Sequence, residues 1–172
     1  HLNSGTSIPA SSIYNQCGIP AITPSATNPK LTLQGFRTAF RLLANDNAVG
    51  VGMAIFAARN AGARRVAIID DRTAYGQGVA DAFKSAALAQ GLQVVDQQYT
   101  NDKATDFTNI LTAIKSKAPE VIFFGGMDTQ AGPMLRQIEQ LGLGGVKFLG
   151  GDGMCTSQLV QLAGGSRALA NA

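Results

Sequence analysis

The stretch that decides the fold of this chain is Arg65-Val66-Ala67-Ile68-Ile69-Asp70, a short apolar run that ends in polar sequence. Its four consecutive apolar residues, three of them β-branched, are typical of a strand that is buried on both faces. A strand is buried in this way where helices cover both sides of a parallel sheet. The stretch therefore indicates an α/β protein.

Three further apolar runs follow along the chain, at residues 93–95, 121–124 and 146–149. The four runs recur at a spacing of roughly 27 residues, which is the length of one strand with its crossover helix. Strands that alternate with helices predict an open, doubly wound parallel sheet.

Helical patterns occupy the intervals between the predicted strands. Asp46 or Asn47 is predicted to cap a helix that runs through Asn60. Gly62, Gly91 and Gly142 are predicted to end helices in the left-handed conformation. The other predicted helices are residues 76–90, residues 107–117 with Asp106 as cap, a helix capped by Asp128, and residues 156–163.

Ligands of doubly wound sheets bind beyond the carboxyl ends of the strands, so the residues that follow each strand are candidate site residues. Asp152 lies there between two glycines, and its carboxylate is suited to pair with an ammonium group. The alternative is a simple turn or cap aspartate. Tyr75, predicted to precede a helix, could cover a small ligand or could pack against its own loop.

Two hydroxyl-rich clusters occur near the start of the chain, at residues 4–7 and 23–27. Hydroxyl groups beside a helix start are suited to bind a carboxylate or phosphate, because the free N–H groups there carry partial positive charge. A strand would be expected before such an anion-binding cradle, yet the chain begins at it. We therefore expect the chain to be part of a longer protein.

Charge and hydropathy exclude two classes of protein. The 14 basic and 11 acidic residues give a net charge of +3, and the basic residues are dispersed. Nucleic-acid binding is therefore not indicated, because it requires clustered Lys and Arg. No apolar run approaches the ~18 residues of a membrane span, so no direct membrane insertion is expected.

The residue types needed for metal, nucleotide or histidine chemistry are poorly placed. Cys17 and Cys155 lack metal-site spacing, so we expect no metal; Cys17 is expected to be buried and Cys155 less so. The only histidine, His1, nearly excludes a catalytic triad. The Gly76-Gln77-Gly78 segment imitates a dinucleotide fingerprint, but its first glycine does not lie in the turn after the strand. No cofactor is expected.

Taken together, these motifs resemble the substrate-binding proteins of branched-chain amino acid ABC transporters, the leucine/isoleucine/valine-binding protein family. The segments that carry the resemblance span essentially the whole chain and are residues 1–4, 22–29, 75–76, 125–126 and 150–153. The resemblance implies an incomplete type I periplasmic binding protein fold, in which two α/β lobes close on a ligand about a hinge. Residues 1–38 would end the N-terminal lobe, residues 39–172 would form most of the C-terminal lobe, and residues 31–41 would make the first hinge crossing.

The resemblance also implies the roles of single residues. Ser4, Ser25 and Thr27 would bind the α-carboxylate of an amino acid, and Leu2 would lie against its side chain. Tyr75 would close over the ligand and Asp152 would pair with the α-ammonium. Asp152 stands where glutamate is frequent in the family and Met127 where an aromatic residue is common. The implied ligand-binding set is Leu2, Ser4, Ser25, Ala26, Thr27, Tyr75, Met127 and Asp152.

The implied function is capture of an amino acid, aliphatic or branched-chain, outside the cytoplasm, with a periplasmic location. The partners would be the membrane permease and ATPase subunits of an ABC transporter, and no enzymatic activity is expected. Two alternatives remain open at this point. One is an amino-acid or amide sensor with the same fold, and the other is an α/β enzyme that binds a nucleotide or sugar phosphate.

Overall fold

Two parallel β-sheets organise the chain, and the computed structural model describes all of it, residues 1–172. The smaller sheet pairs β1 (Ala21–Thr23) with β2 (Ala39–Arg41). The larger sheet contains four parallel strands in the order β4-β3-β5-β6. Its strands are β3 (Arg65–Asp70), β4 (Gln93–Tyr99), β5 (Val121–Gly125) and β6 (Lys147–Gly150). The predicted parallel α/β sheet is thus confirmed.

Helices connect the strands and cover both faces of the larger sheet. They are α1 (Ser4–Gln16), α2 (Lys30–Leu33), α3 (Asp46–Ile55), α4 (Ala74–Ala89), α5 (Thr108–Lys115), α6 (Asp128–Gln140) and α7 (Gln158–Leu162). A π-helical turn, Phe56–Asn60, extends α3, and short 3-10 turns lie at Asp152–Met154 and Arg167–Asn171. None of the helices combines the length and apolar character that a membrane span requires.

Two buried clusters form the core, one on each face of the larger sheet. Ala67 and Ile69 of β3 belong to the cluster that α5 and α6 cover. Val66 and Ile68 belong to the opposite cluster, which α3 and α4 cover. Side chains of a strand alternate between faces, so the continuous apolar run of β3 contributes to both clusters.

The start of α3 differs from the prediction. Asn45 is the cap, because its side chain accepts a hydrogen bond from the Ala48 N–H. Asp46 is instead the first helical residue and is completely buried. The prediction of an Asp46 or Asn47 cap was wrong because Asn45 caps equally well and leaves Asp46 to point into the protein.

The other helix ends are partly as predicted. Gly62, Gly91 and Gly142 have φ values of 64°, 79° and 71°, as expected of left-handed helix stops. The prediction that Asp106 is the cap of α5 was wrong by one residue, because Phe107 is the cap; the Asp106 carboxylate nevertheless accepts a hydrogen bond from the Thr108 N–H at 2.9 Å. Asp128 is not a cap, since it lies inside the first turn of α6 and its carboxylate accepts a hydrogen bond from the Thr156 hydroxyl.

The helix after β3 begins two residues earlier than predicted. Its cap is Thr73, whose hydroxyl accepts a hydrogen bond from the Gly76 N–H at 2.9 Å. Tyr75 therefore lies within the first turn of α4 rather than before it. The last predicted helix, residues 156–163, is reduced to α7, Gln158–Leu162.

Both cysteines are exposed and unpaired. The expectation of a buried Cys17 was wrong, because this residue follows the last turn of α1 at the surface. The next residue, Gly18, turns the chain away with a φ of 65°. Cys155 is exposed as expected, immediately after the 3-10 turn that follows β6.

Candidate functional site

The carboxyl ends of β3, β5 and β6 meet at one edge of the larger sheet. The chain first places β4 on one side of β3 and then places β5 on the other side. This reversal leaves a crevice at the carboxyl ends of the strands, the usual ligand site of such sheets. Tyr75, Met127 and Asp152 each follow one of these strands and lie beside the crevice.

Tyr75 and Asp152 are joined by a hydrogen bond across the crevice. The Tyr75 hydroxyl donates to Asp152 Oδ1 at 3.0 Å and accepts from the Gly153 N–H at 2.8 Å. Tyr75 is only 4% exposed, and burial, followed by the nearby Asp152 charge, raises the pKa of its phenol. The neutral tyrosine thus orients the exposed carboxylate of Asp152 and the turn that carries it.

The turn at residues 151–153 is packed too tightly for side chains at its glycines. A Cβ atom at Gly153 would lie 2.8 Å from the Met127 sulfur and 2.9 Å from Tyr75 Cε1. Real Cβ atoms do not approach so closely, so glycine is required here. Met127 is half-buried against this turn and belongs to the wall of the crevice.

The two hydroxyl-rich clusters come together in the structure. Ser4, the first residue of α1, is buried, and its hydroxyl accepts a hydrogen bond from the Asn28 N–H at 3.2 Å. The Thr23 hydroxyl accepts from the Ser25 and Ala26 N–H groups at 3.2 Å and 2.9 Å. This turn places Ala26 and Thr27 in buried positions beside the start of α1. Sequence reasoning did not foresee the role of Thr23 in shaping the turn.

Two of the predicted ligand-binding residues lie in more open positions. Leu2 is 70% exposed, just before α1. Ser25 is half-buried at the tip of the turn that Thr23 holds. Both residues remain next to the cradle formed by Ser4 and Thr27.

Asp46 is a further candidate site residue, which the sequence analysis considered only as a helix cap. It is 0% exposed, and neither of its carboxylate oxygens has a hydrogen-bond partner. The hydroxyl of Thr27 is buried nearby, has no partner of its own and lowers the pKa of Asp46 as a hydrogen-bond donor. A buried carboxylate whose oxygens are not fully hydrogen-bonded costs free energy, so a further donor at this position would stabilise the structure.

The electrostatic surroundings of Asp46 explain why the pKa of its carboxyl is raised. Burial raises the pKa of its carboxyl to about 6, and the Asp152 charge acts in the same direction. Thr27 and the Arg41 guanidinium oppose the shift. Asp46 and Asp152 therefore form a pair of acids from different elements, both within electrostatic range of Tyr75.

The loop between β3 and α4 is held by contacts of its own. Arg72 has a φ of 61°, a strained value for a residue other than glycine. Its guanidinium donates to Asp70 Oδ1 at 2.8 Å and lies 4.0 Å from the centre of the Tyr99 ring. Asp71 accepts from both the N–H and the hydroxyl of Thr73. Asp70 and Asp71 are therefore both occupied by contacts that position the start of α4.

Known proteins similar to this chain bind small solutes. An amino acid binding protein of Pseudomonas aeruginosa is 37% identical over 165 residues, which cover 96% of this chain and 44% of that protein. The crystal structure of a leucine-binding protein from Thermotoga maritima superposes on this chain with a TM-score of 0.91 and 30% identity. The match covers 98% of this chain and 47% of the Thermotoga chain. The chain therefore spans less than half the length of these relatives.

A third relative was crystallised with its ligand. The branched-chain amino acid transporter substrate-binding protein LivJ of Streptococcus pneumoniae, in complex with isoleucine, has a TM-score of 0.84 and 26% identity. The match covers 95% of this chain and 46% of that one. The expected type I periplasmic binding protein fold is confirmed by these likenesses. A family model described as periplasmic binding protein matches residues 2–171, and the chain accordingly belongs to that family.

Proposed function

We propose that the protein containing this chain captures a free amino acid, preferably an aliphatic or branched-chain one, between two lobes. The 172 residues would contribute contacts to both of the ligand's charged groups. The relatives named for amino acid, leucine or branched-chain substrates support this choice of ligand class. In this role the protein would capture the amino acid outside the cytoplasm. It would then deliver the amino acid to the permease and ATPase subunits of an ABC transporter.

One observation carries the proposal: the Asp46 carboxylate is completely buried, and neither of its two oxygens has a hydrogen-bond partner. An α-ammonium group offers three N–H donors and a positive charge, so it would satisfy these oxygens and favour the ionised form of Asp46. Asp152, oriented by Tyr75, would provide a second negative charge from the other side of the crevice.

The α-carboxylate of the ligand would be held by the anion-binding cradle. The Ser4 hydroxyl accepts from Asn28, which leaves its own proton free to donate to a carboxylate. The first N–H groups of α1 have no partner within the helix and lie at its positive end. Ser25, Ala26 and Thr27 would complete the carboxylate site from the neighbouring turn.

Selectivity for the side chain would come from the apolar residues beside the two charged subsites. Leu2 and Met127 are the candidates, since they flank the cradle and the Asp152 turn respectively. An additional methylene in an apolar pocket changes affinity by only ~1–3 kcal/mol. We therefore expect several aliphatic amino acids to bind with graded affinities.

The physical mechanism follows from the two charges of the zwitterion. One part of the protein binds the carboxylate and the other binds the ammonium, so the ligand bridges them. A ligand that contacts both parts binds the closed arrangement better than the open one and shifts the population toward it. The two lobes would reach this closed arrangement by rotating about a hinge.

The test is isothermal titration calorimetry on the complete natural protein that contains this sequence. Leucine, isoleucine and valine should bind. 4-Methylpentanoate, which is leucine without its ammonium group, and 3-methylbutylamine, which lacks the carboxylate, should bind at least a hundredfold more weakly. Equal binding of 4-methylpentanoate and leucine would refute the ammonium site. Stabilisation by nucleotides or sugar phosphates, but not by amino acids, would favour the enzyme alternative.

A further inference from the structure

Asn28 has a hydrogen-bond partner for each of its four polar groups. Its N–H donates to Ser4 Oγ at 3.2 Å, and its backbone oxygen accepts from Arg41 Nη1 at 3.3 Å. Its side-chain Oδ1 accepts from the Lys30 N–H at 2.9 Å. The fourth contact, from Nδ2 to the Ala74 backbone oxygen, is 2.6 Å long. The first three contacts lie within residues 4–41, and only the fourth reaches the larger sheet's own helices.

The orientation of the Asn28 amide is determined by its local turn. The Lys30 N–H requires an acceptor, so Oδ1 faces it and Nδ2 must point the other way. That direction leads to Ala74, the first residue of α4 and the neighbour of Tyr75. The amide is therefore preorganised before the contact with α4 forms.

Gly78 allows α4 to approach this amide. A Cβ atom at Gly78 would lie 2.6 Å from Asn28 Nδ2 and 2.6 Å from Asp46 Oδ2. Either distance is too short for a real side chain, so the contact between Asn28 and α4 depends on a glycine at this position. The same close approach brings Asn28 next to the buried carboxylate of Asp46.

We infer that Asn28 is a positioning residue for ligand capture, whose amide holds the anion-binding cradle against the start of α4. Asn28 is hydrogen-bonded to Ser4 of the cradle and to Ala74, which belongs to the same helical turn as Tyr75. The bond therefore sets the separation between the carboxylate-binding and ammonium-binding groups in the closed protein. This inference rests on the proposed function, because it requires a ligand that both sides contact.

The first test is Asn28→Asp in the complete natural protein. The substituted side chain keeps the acceptor for the Lys30 N–H but directs a carboxylate oxygen at the Ala74 oxygen and toward Asp46. Leucine should dissociate at least tenfold faster in stopped-flow measurements, with little change in association rate, because the contact stabilises the closed complex. An effect on folding alone would change the melting temperature without this split between rates.

Asn101→Asp is the matched control. Asn101 Oδ1 accepts from the Lys103 N–H at 2.9 Å in the same kind of turn, but its amide makes no bond to α4. The substitution changes the net charge equally and keeps the turn acceptor. Leucine dissociation should be unchanged in this control.

A second pair of variants tests the contact from the side of α4. Gly78→Ala adds a methyl group where Asn28 and Asp46 leave no space, whereas Gly52→Ala adds one to α3 with nothing within 4 Å. Both substitutions raise helix propensity. Only Gly78→Ala should accelerate leucine dissociation, and spin labels on the two lobes should report a wider closed state.

The outcomes separate the two proposals. If the unmodified protein does not bind leucine or another free amino acid, the proposed function fails and this inference fails with it. If the unmodified protein binds leucine and both Asn28→Asp and Gly78→Ala leave its dissociation rate unchanged, the inference alone is overturned. Faster dissociation in both variants, with both controls unaffected, would support it.

Discussion

The N-terminal region, residues 1–41, and the larger sheet with its helices are stabilised in different ways. Around the larger sheet, buried apolar side chains form continuous clusters on both faces. In the N-terminal region the buried side chains are mainly hydroxyls, while several large apolar ones are exposed. The buried hydroxyl residues are Ser4, Ser7, Ser11, Thr23 and Thr27; the exposed apolar residues include Ile13, Ile19, Ile22, Leu33 and Phe40.

This difference suggests that the larger sheet determines the stability of the protein, whereas the polar groups of the N-terminal region serve ligand binding. Burial of apolar surface supplies most of the free energy of folding, and here it is concentrated around β3 and β5. The N-terminal region contributes polar groups that lie beside Asp46 and α4, where we propose that they bind the ligand rather than stabilise the fold. Substitutions in the two regions should therefore affect different measurements.

The largest expected effect is on stability and falls in the larger sheet. Phe123 is completely buried on β5 and stacks on Phe83 with ring centroids 4.0 Å apart. Phe123→Ala should lower the free energy of unfolding by about 3–5 kcal/mol, because it removes apolar contacts and leaves a cavity. Urea denaturation measures the change. Ile68→Val, at another buried position, should cost only about 0.5–1.5 kcal/mol.

The next effect concerns ligand affinity. Asp152→Ala should abolish amino-acid binding or weaken it at least tenfold, which is about 1.4 kcal/mol, with little loss of stability because Asp152 is exposed. Asp152→Asn retains an acceptor for the Tyr75 hydroxyl and removes only the charge. A comparable loss of calorimetric affinity in both variants would show that the charge matters. Unchanged affinity would contradict the ammonium role.

A third prediction concerns pH and Asp46. Its pKa is about 6 in the folded protein against a usual value of 3.8, so the folded state binds more protons between these values. The free energy of unfolding should therefore fall by up to about 3 kcal/mol as pH rises from about 4 to 6. The charged groups around it are Arg41 and Asp152, with the neutral Tyr75 nearby.

Binding should depend on pH in the opposite direction. An ammonium ligand pairs with ionised Asp46, so leucine affinity should rise about tenfold between pH 5 and 7. Asp46→Asn should weaken binding and remove this pH dependence. Calorimetry at several pH values measures both effects. A wild-type affinity that is constant over this range would exclude Asp46 from the site.

The smallest predicted effect lies in the N-terminal region. The Ser11 hydroxyl is buried, donates to the Ile8 oxygen at 2.7 Å and accepts from Gln34 Nε2 at 2.9 Å. Ser11→Ala should cost about 1 kcal/mol of unfolding free energy, the net value of such hydrogen bonds. A loss as large as that of Phe123→Ala would contradict the proposed division between the two regions.

Much of the fold was predictable because its determinants are local. The buried strands β3 and β5 follow from consecutive apolar residues, and Gly62, Gly91 and Gly142 mark helix ends through backbone conformation alone. Thr73 illustrates a limit of such local reasoning. It provides a standard cap for α4, yet the sequence analysis placed the start of this helix at residue 76.

Part of the candidate site was also accessible from the sequence, since Tyr75 and Asp152 both follow predicted strands. Asp46 was missed because Asn45 and Asp46 are equally good caps in isolation, and only packing shows which one is buried. Asn28 was missed for another reason. Its partner Ala74 lies 46 residues away, and no local pattern predicts that hydrogen bond.

The order of residues along this chain determines where strands and helices form, because hydrophobic periodicity and backbone preferences act over a few neighbouring residues. It also places hydroxyls, a tyrosine and an aspartate at the ends of those elements. Only the folded structure decides which groups lose water and which find partners. Burial and long-range contacts raise the pKa of Asp46, orient Asp152 through Tyr75 and bring Asn28 to α4, so they determine the chemistry of the site.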